Sequence, residues 1–448
     1  YDDDLNEVWR SSVTTSNHED LLDFFELDNS IYVLVNGYDP ETRLAYVTRA
    51  RIFKKTGDWM KTDTLTSEVI PNWAERTSKA TVKETFQNAI LSIQYAHYVV
   101  PLEFKYQVKF SPDSSKVMIY RFDYSKKKLW VKAKVYNHKF DMFEEGDVPV
   151  DDHYICYGMD VNNDGEVILY KANENGRVVA VRFHLGTEDF KYVGLYTTNS
   201  TRDNLTLWQQ DVDHLYMAKL NRKNESFVGI TFSRFNFPEE KIDETRFQAF
   251  ESIFKAELMT EMKKEKIPNI DKSWYHYELT DFFIDKDSNR IIIVEERNII
   301  STDFEYEPEM VEKKENWVPR IGRVKAGVLL IFVFNKNNKL IYKEGIVKNQ
   351  DIDATDGLNT ISYTINHDSE QGSLQLLMSE EGKSTTLNQI RFIEIDYVNG
   401  LISKNYKLTN PDKLVLSRPY VLFKNDMLYF VGKKGLLSKK TYFVKYKL

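Results

Sequence analysis

The chain has 448 residues, 42% of them hydrophobic and 14% aromatic, which supplies a packed core and excludes a disordered polymer. Its formal charge of -7 arises from 61 basic and 68 acidic residues spread along the chain, so it lacks the one-sided basic face that phosphate backbones require and nucleic acid is not an expected partner. Cys156 is the only cysteine, which rules out an internal disulfide and a CxxC zinc or redox site, and no apolar run approaches the roughly 18 residues of a membrane span.

Read from the N-terminus, the chain opens on Tyr-Asp-Asp-Asp, which is not an export signal, and the expectation is a start after a removed one. Leu5-Asn-Glu-Val-Trp-Arg-Ser-Ser reads as a strand able to complete a sheet begun elsewhere. Phe25-Glu-Leu-Asp-Asn-Ser-Ile-Tyr-Val-Leu is the first of a recurring phrase, two apolar stretches joined across a turn of Asp, Asn, Ser, Lys or Gly. Residues 60–97 are read as an insertion, within which Thr81 to Ala96 fits helix or strand. The phrase returns at Val108-Lys-Phe-Ser-Pro-Asp-Ser-Ser-Lys-Val-Met-Ile and at Gly158-Met-Asp-Val-Asn-Asn-Asp-Gly-Glu-Val-Ile-Leu. A weaker copy pairs Val193-Gly-Leu-Tyr with Asn204-Leu-Thr-Leu-Trp.

Asp243 to Lys266 reads as a helix inside a second insertion, 239–272, with Phe247, Phe250, Ile253, Phe254, Leu258 and Met262 on one face and Pro268 beyond its end. Its stripe covers sheet edges or, at Phe250, Phe254 and Leu258, offers a contact face to a protein partner. The phrase resumes at Phe282-Phe-Ile-Asp-Lys-Asp-Ser-Asn-Arg-Ile-Ile-Ile-Val, followed by a third insertion at 298–325. Copies at Tyr363-Thr-Ile-Asn-His-Asp-Ser-Glu-Gln-Gly-Ser-Leu-Gln-Leu-Leu and Val421-Leu-Phe-Lys-Asn-Asp-Met-Leu-Tyr-Phe bring the count to seven. Second hairpins with more charge follow most of them, as at Leu330 to Tyr342 and Phe392 to Ser403, and two hairpins make a four-stranded blade. Lys440 to Leu448 supplies a further strand for ring closure.

Catalytic and metal signals are sparse. Asp160-Val-Asn-Asn-Asp-Gly-Glu has the oxygen spacing of a calcium loop, but its twelfth position is Lys171 and strand follows, so it reads as a hairpin turn. His18, His97, His138, His153, His184, His214, His276 and His367 form no ligand pairing, and no phosphate loop, nucleophile elbow or dinucleotide fingerprint occurs, so no cofactor is expected. Asp281, Glu295 and Glu296 are the carboxylates a glycoside hydrolase would use, although neighbours on a strand point to opposite faces unless a bulge intervenes.

On the phrases Phe110-Ser-Pro-Asp-Ser-Ser-Lys-Val-Met-Ile, Asp160-Val-Asn-Asn-Asp-Gly-Glu-Val and Ile346-Val-Lys-Asn-Gln, the chain resembles the exported propeller-like proteins common in Bacteroidota, over nearly its whole length from Leu5. The resemblance implies a periplasmic or outer-membrane-associated protein. Some components of the type IX secretion apparatus, its translocon plug among them, are similar in size and location, and the resemblance carries over no functional residue.

The expectation is an all-β, seven-bladed β-propeller with one helical insertion, six or eight blades changing the count but not the architecture. Residues 1–448 would form one domain, its ring closed by N- and C-terminal strands. Its expected role is non-catalytic binding of a protein partner in an envelope complex, with a glycan-active hydrolase or glycan-binding propeller as the alternative.

Overall fold

The structure, a computed structural model, describes residues 7–14, 18–27, 30–70, 106–125, 128–150, 154–173, 177–187, 189–197, 204–209, 213–223, 226–250, 252–264, 277–300, 323–348, 350–353, 363–369, 371–381, 387–408, 414–424, 427–434 and 440–447. The N-terminal strand is β1 (Glu7–Thr14). The first sheet holds β2 (Glu19–Leu27), β3 (Ser30–Asp39), β4 (Leu44–Phe53) and β5 (Trp59–Val69). The second holds β6 (Gln107–Phe110), β7 (Lys116–Ser125), β8 (Lys128–Asn137) and β9 (Met142–Val150). The third holds β10 (Tyr154–Val161), β11 (Val167–Asn173), β12 (Arg177–Phe183) and β13 (Lys191–Thr197). The fourth holds β14 (Asn204–Gln209), β15 (His214–Lys223), β16 (Ser226–Asn236) and β17 (Lys241–Ala249).

Helix α1 (Ser252–Lys264) precedes the fifth sheet, β18 (Tyr277–Ile284), β19 (Arg290–Ile300), β20 (Arg323–Phe334) and β21 (Leu340–Ile346), with β22 (Gln350–Asp353) also paired to β20. The sixth sheet is β23 (Tyr363–Asp368), β24 (Ser373–Glu381), β25 (Leu387–Asp396) and β26 (Leu401–Leu408). The seventh is β27 (Leu414–Lys424), β28 (Met427–Lys434) and β29 (Lys440–Lys447), with β1 antiparallel to β29 from Glu7 opposite Tyr446 to Thr14 opposite Lys440. Up-and-down antiparallel meanders of four strands, repeated along the chain, make the fold all-β and a β-propeller.

In the fifth sheet the inner strands carry continuous apolar runs, as strands covered on both faces do. Ile291, Ile292, Ile293 and Val294 of β19 and Leu329 to Val333 of β20 are all fully buried. The fourth strands β17 and β26 are largely exposed along their length.

One turn recurs and explains how the sequence writes the hairpins. Asn137, Asn162, Asp285 and Asn335 each accept the backbone N–H groups two and four residues on through Oδ1, at 2.7–3.0 Å. The residue three positions on then takes a left-handed conformation: Phe140 at φ 68°, Gly165 at 91°, Ser288 at 62° and Asn338 at 58°. The calcium-like phrase is one of these turns, with Asn162 also donating through Nδ2 to Glu166 at 2.9 Å. At Gly165 a Cβ would meet Phe143 Cε1 at 2.5 Å in addition to the backbone strain. Gly165→Ala is expected to lower stability by about 1–2 kcal/mol, read as a shift in the urea midpoint without change in slope.

Contacts divide the chain into two units. In the unit of residues 15–221 and 229–249, successive sheets share apolar clusters: Leu34, Val47, Ile119 and Tyr136 between the first and second, Met118, Val135, Leu169 and Phe183 between the second and third, and Tyr170, Val193, Met217 and Phe235 between the third and fourth. In the unit of residues 1–14, 222–228 and 250–448, Ile293, Ile331, Leu376 and Ile395 join the fifth and sixth sheets, and Leu377, Phe392, Phe430 and Tyr446 join the sixth and seventh.

Four expectations are corrected. Residues 243–249 are not helix but part of β17, paired from Gly229 opposite Ala249 to Asn236 opposite Lys241, because β16 offers an open edge that outweighs the local helical spacing. The helix is accordingly shorter, Ser252–Lys264. The weaker hairpin copy is no hairpin: Val193 to Tyr196 ends the third sheet and Asn204 to Trp208 begins the fourth. The insertions at 60–97, 239–272 and 298–325 overlap sheet strands at β5, β17, β19 and β20, while Thr81 to Ala96 lies outside the described residues.

Candidate functional site

The proposed contact residues come first. Phe250 is 8% exposed and sits between Phe227, ring centroids 4.3 Å apart, and Phe332, at 4.8 Å. Leu258 is fully buried with Met262 over Gly345, where an added Cβ would lie 3.4 Å from Met262 Cγ. Phe250 and Leu258 therefore belong to the protein's own core and offer no free contact face, and the Phe254 side chain lies outside the described residues.

The hydrolase carboxylates lead to a polar cluster in the fifth and sixth sheets. A bulge at Thr280 breaks the pairing of β18 with β19, and a second at Glu296 breaks that of β19 with β20. Despite the bulge, Glu295 and Glu296 part company. Glu296 accepts the Val328 N–H at 3.3 Å, whereas Glu295 turns inward, 1% exposed, and forms an ion pair with Lys348, itself fully buried. Lys348 also reaches Gln350 Oε1 at 3.3 Å, and its ammonium lies 5.4 Å from the Tyr363 ring centroid.

Tyr363, on β23, donates its hydroxyl to Asp281 Oδ2 and lies 2.5 Å from Thr280 Oγ1. Burial pushes the Asp281 carboxyl up to about 6; the Tyr363 hydrogen bond opposes this and the Glu295 charge adds to it. Burial likewise raises Glu278, helped by Glu295 and opposed by Arg222, and holds the Tyr363 phenol well above its ordinary range. Thr280, Asp281 and Glu278 stay partly exposed on β18. The cluster thus joins a phenol held protonated, a carboxyl raised by burial to about 6 and a buried ion pair.

Sequence reasoning found Asp281 and Glu295 but not Glu278, Lys348 or Tyr363. Lys348 and Gln350 fall in the phrase Ile346-Val-Lys-Asn-Gln and Tyr363 opens a hairpin phrase, yet nothing in those phrases marks chemistry.

A second charged cluster lies in the other unit. Arg121, its side chain fully buried, gives Nε and Nη2 to Glu68 Oε2 at 3.1 and 2.5 Å and approaches Asp123 at 3.7 Å. Lys132 pairs with the same Glu68. Among the described residues Arg121 Nη1 and Asn36 Nδ2 are buried without a hydrogen-bond partner, and Asn36 Oδ1 accepts the Tyr106 N–H at 2.8 Å. Among the described histidines, His184 contacts Glu144 at 3.1 Å, His18 packs edge-on against Tyr38 and His367 lies 3.1 Å from the Tyr397 hydroxyl, while His97, His153 and His276 lie outside the described residues. Among the described residues no three potential metal ligands converge.

No family model and no curated protein matches the chain. Among solved structures it is similar to the polysaccharide lyase Uly1, at 10% identity over 95% of this chain and 89% of that one, with a TM-score of 0.45. A PL25 ulvan lyase gives 10% identity over 96% and 95% with a TM-score of 0.46. The Nup133 β-propeller domain of Vanderwaltozyma polyspora gives 9% over 95% and 99% with 0.43. Identities and scores this low carry no argument about what this chain binds or does.

Proposed function

We propose that the chain is a non-catalytic, protein-binding propeller, its seven sheets the blades of one ring, acting as a subunit or accessory factor of an envelope complex. The observation that carries this reading is the end of the β25–β26 hairpin, where Val398 in the turn and Leu401 and Ile402 at the start of β26 stand 62%, 47% and 39% exposed. Three large apolar side chains within five residues of one hairpin end cost solvation unless another surface covers them. Glu295 and Lys348, both almost wholly buried, engage one another. The resemblance to exported Bacteroidota propellers supports a periplasmic or outer-membrane-associated location, with the type IX translocon as one such complex; fractionation of the full-length precursor tests it, and retention in the cytosol without signal cleavage refutes it.

The partner is expected to co-purify with the chain from its native organism in mild detergent, in fixed stoichiometry, and to be lost with Leu401→Glu. Recovery of the chain alone, with turnover on a glycan panel, overturns the reading. One observation favours the glycan-active alternative: Asp281 is partly exposed, carries a carboxyl near 6 and has Glu278 and Glu295 as neighbours. Under that alternative, turnover disappears in Asp281→Asn while the fold is kept.

A further inference from the structure

The tripeptide Val-Asn-Gly occurs twice, at Val35-Asn36-Gly37 in β3 and at Val398-Asn399-Gly400 in the turn between β25 and β26. A third Asn-Gly pair, Asn175-Gly176, lies outside the described residues. Asparagine followed by glycine is the pair most prone to lose its side-chain amide, because glycine has no Cβ to shield its nitrogen and adopts the backbone angles that ring closure needs. With identical immediate neighbours, Asn36 and Asn399 share their intrinsic chemistry, and the fold around them makes the difference.

Asn36 is held inside the first sheet. It is 1% exposed, its strand is paired on both sides, with Asp20 of β2 and Val47 of β4 opposite it, and its Oδ1 accepts the Tyr106 N–H at 2.8 Å. The Tyr46 ring covers Gly37 so closely that an added Cβ would stand 2.5 Å from its Cε2. Asn399 and Gly400 are both exposed. Gly400 has φ 71°, an added Cβ there would approach Tyr342 Cδ2 no closer than 3.8 Å, and among the described residues no hydrogen bond engages its N–H. What restrains Asn399 is Asp396, whose Oδ1 accepts the Asn399 N–H at 2.8 Å and whose Oδ2 accepts from Nδ2 at 2.7 Å, both at the solvent-exposed surface.

We propose that Asn399 is a site of spontaneous amide-to-acid conversion, restrained by Asp396, and that β3 shields Asn36 from the same reaction. The Gly400 nitrogen gives its proton to hydroxide and bonds to Asn399 Cγ. The Cγ–Nδ2 bond then breaks, and Nδ2 takes a proton from water and leaves as ammonia. Water adds to one of the two carbonyls of the resulting five-membered imide and opens it to aspartate or isoaspartate, so the net change is one water taken up and one ammonia released. At Asn399 the attack requires release of two exposed hydrogen bonds that water replaces, whereas at Asn36 it requires β3 to unpair from both neighbours and water to enter the core. The product also changes the turn, because a carboxylate takes the place of the Nδ2 donor that faces Asp396 and like charges repel. The new charge stands beside Val398, Leu401 and Ile402 and opposes any apolar surface covering them; that consequence rests on the protein-binding reading, whereas the reaction does not.

The test holds the purified chain at pH 8, folded and in guanidinium, and follows the amide-to-acid mass gain at each asparagine by peptide mass spectrometry. In the folded chain Asn399 is expected to convert at least about tenfold faster than Asn36, since only the latter needs strand opening. In guanidinium the two rates converge. Asp396→Ala, which removes both restraining bonds, raises the folded rate at Asn399 and leaves that at Asn36 unchanged. An Asn399 retained as long as Asn36 in the folded chain, a gap between the two that survives in guanidinium, or an Asn399 rate unmoved in Asp396→Ala overturns the proposal.

Discussion

Glu68→Gln is expected to lower stability by about 3 kcal/mol at pH 7, the low end of the range for breaking a buried ion pair because Glu68 itself is partly exposed. The loss comes from what is left behind. Arg121 is fully buried, retains among the described residues only Asp123 at 3.7 Å as a close counter-charge, and cannot shed its proton at any pH a protein survives. The pH dependence provides an internal check. Burial pushes the Glu68 carboxyl up, but the charges and hydrogen bonds of Arg121 and Lys132 outweigh it and hold the carboxyl below its ordinary 4.5. A lowered folded pKa means that this contribution is present above about pH 4.5 and is lost as pH falls through the folded value. Urea titrations from pH 3 to 7 should therefore show the unaltered chain and Glu68→Gln converging toward acid. A constant difference across that range would mean that Glu68 acts through packing rather than through Arg121.

The hairpins were legible because their information is local. An Asx residue, two polar residues and a residue tolerant of positive φ specify the turn, so Asn162 to Glu166 and Asp285 to Asn289 announce strands on both sides without any knowledge of the rest of the fold. Residues 243–249 failed for the opposite reason. Their spacing suits a helix, and only the open edge of β16, not visible in the segment itself, makes them a strand. The polar cluster was half legible: carboxylates on a strand are visible in sequence, but their partners come from 53 positions on for Glu295 and 82 for Asp281, across one or two further hairpins. Nothing local marks Lys348 or Tyr363, since an isolated Lys or Tyr in a strand-rich chain is most often a solvated or packed side chain.

The buried pair of Glu295 and Lys348 offers the strongest test of that cluster. Both side chains are almost wholly out of water, so Lys348→Met leaves the Glu295 carboxylate without its ammonium and beside Glu278 and Asp281, at an expected cost of about 3–5 kcal/mol at pH 7. Unlike Arg121, a carboxylate has an escape: it can take up a proton. In the variant the Glu295 carboxyl should bind its proton more tightly when folded than when unfolded, so the deficit is largest above that raised pKa and shrinks as pH falls toward the ordinary carboxylate range. The two buried-pair variants thus respond to acid for different reasons, Glu68→Gln because the unaltered chain loses its advantage and Lys348→Met because the variant itself recovers. Guanidinium unfolding of both against the unaltered chain at pH 7 and pH 5 separates these cases: between those two values the absolute stability of Lys348→Met should rise relative to the unaltered chain, whereas the deficit of Glu68→Gln should scarcely change. Adding Glu295→Leu to Lys348→Met removes the stranded carboxylate, and the double variant should be more stable than Lys348→Met alone, because two apolar side chains in a dry site need no counter-charge. A double variant no more stable than the single one would show that Glu295 is held by its other neighbours and that Lys348 contributes little to its ionisation.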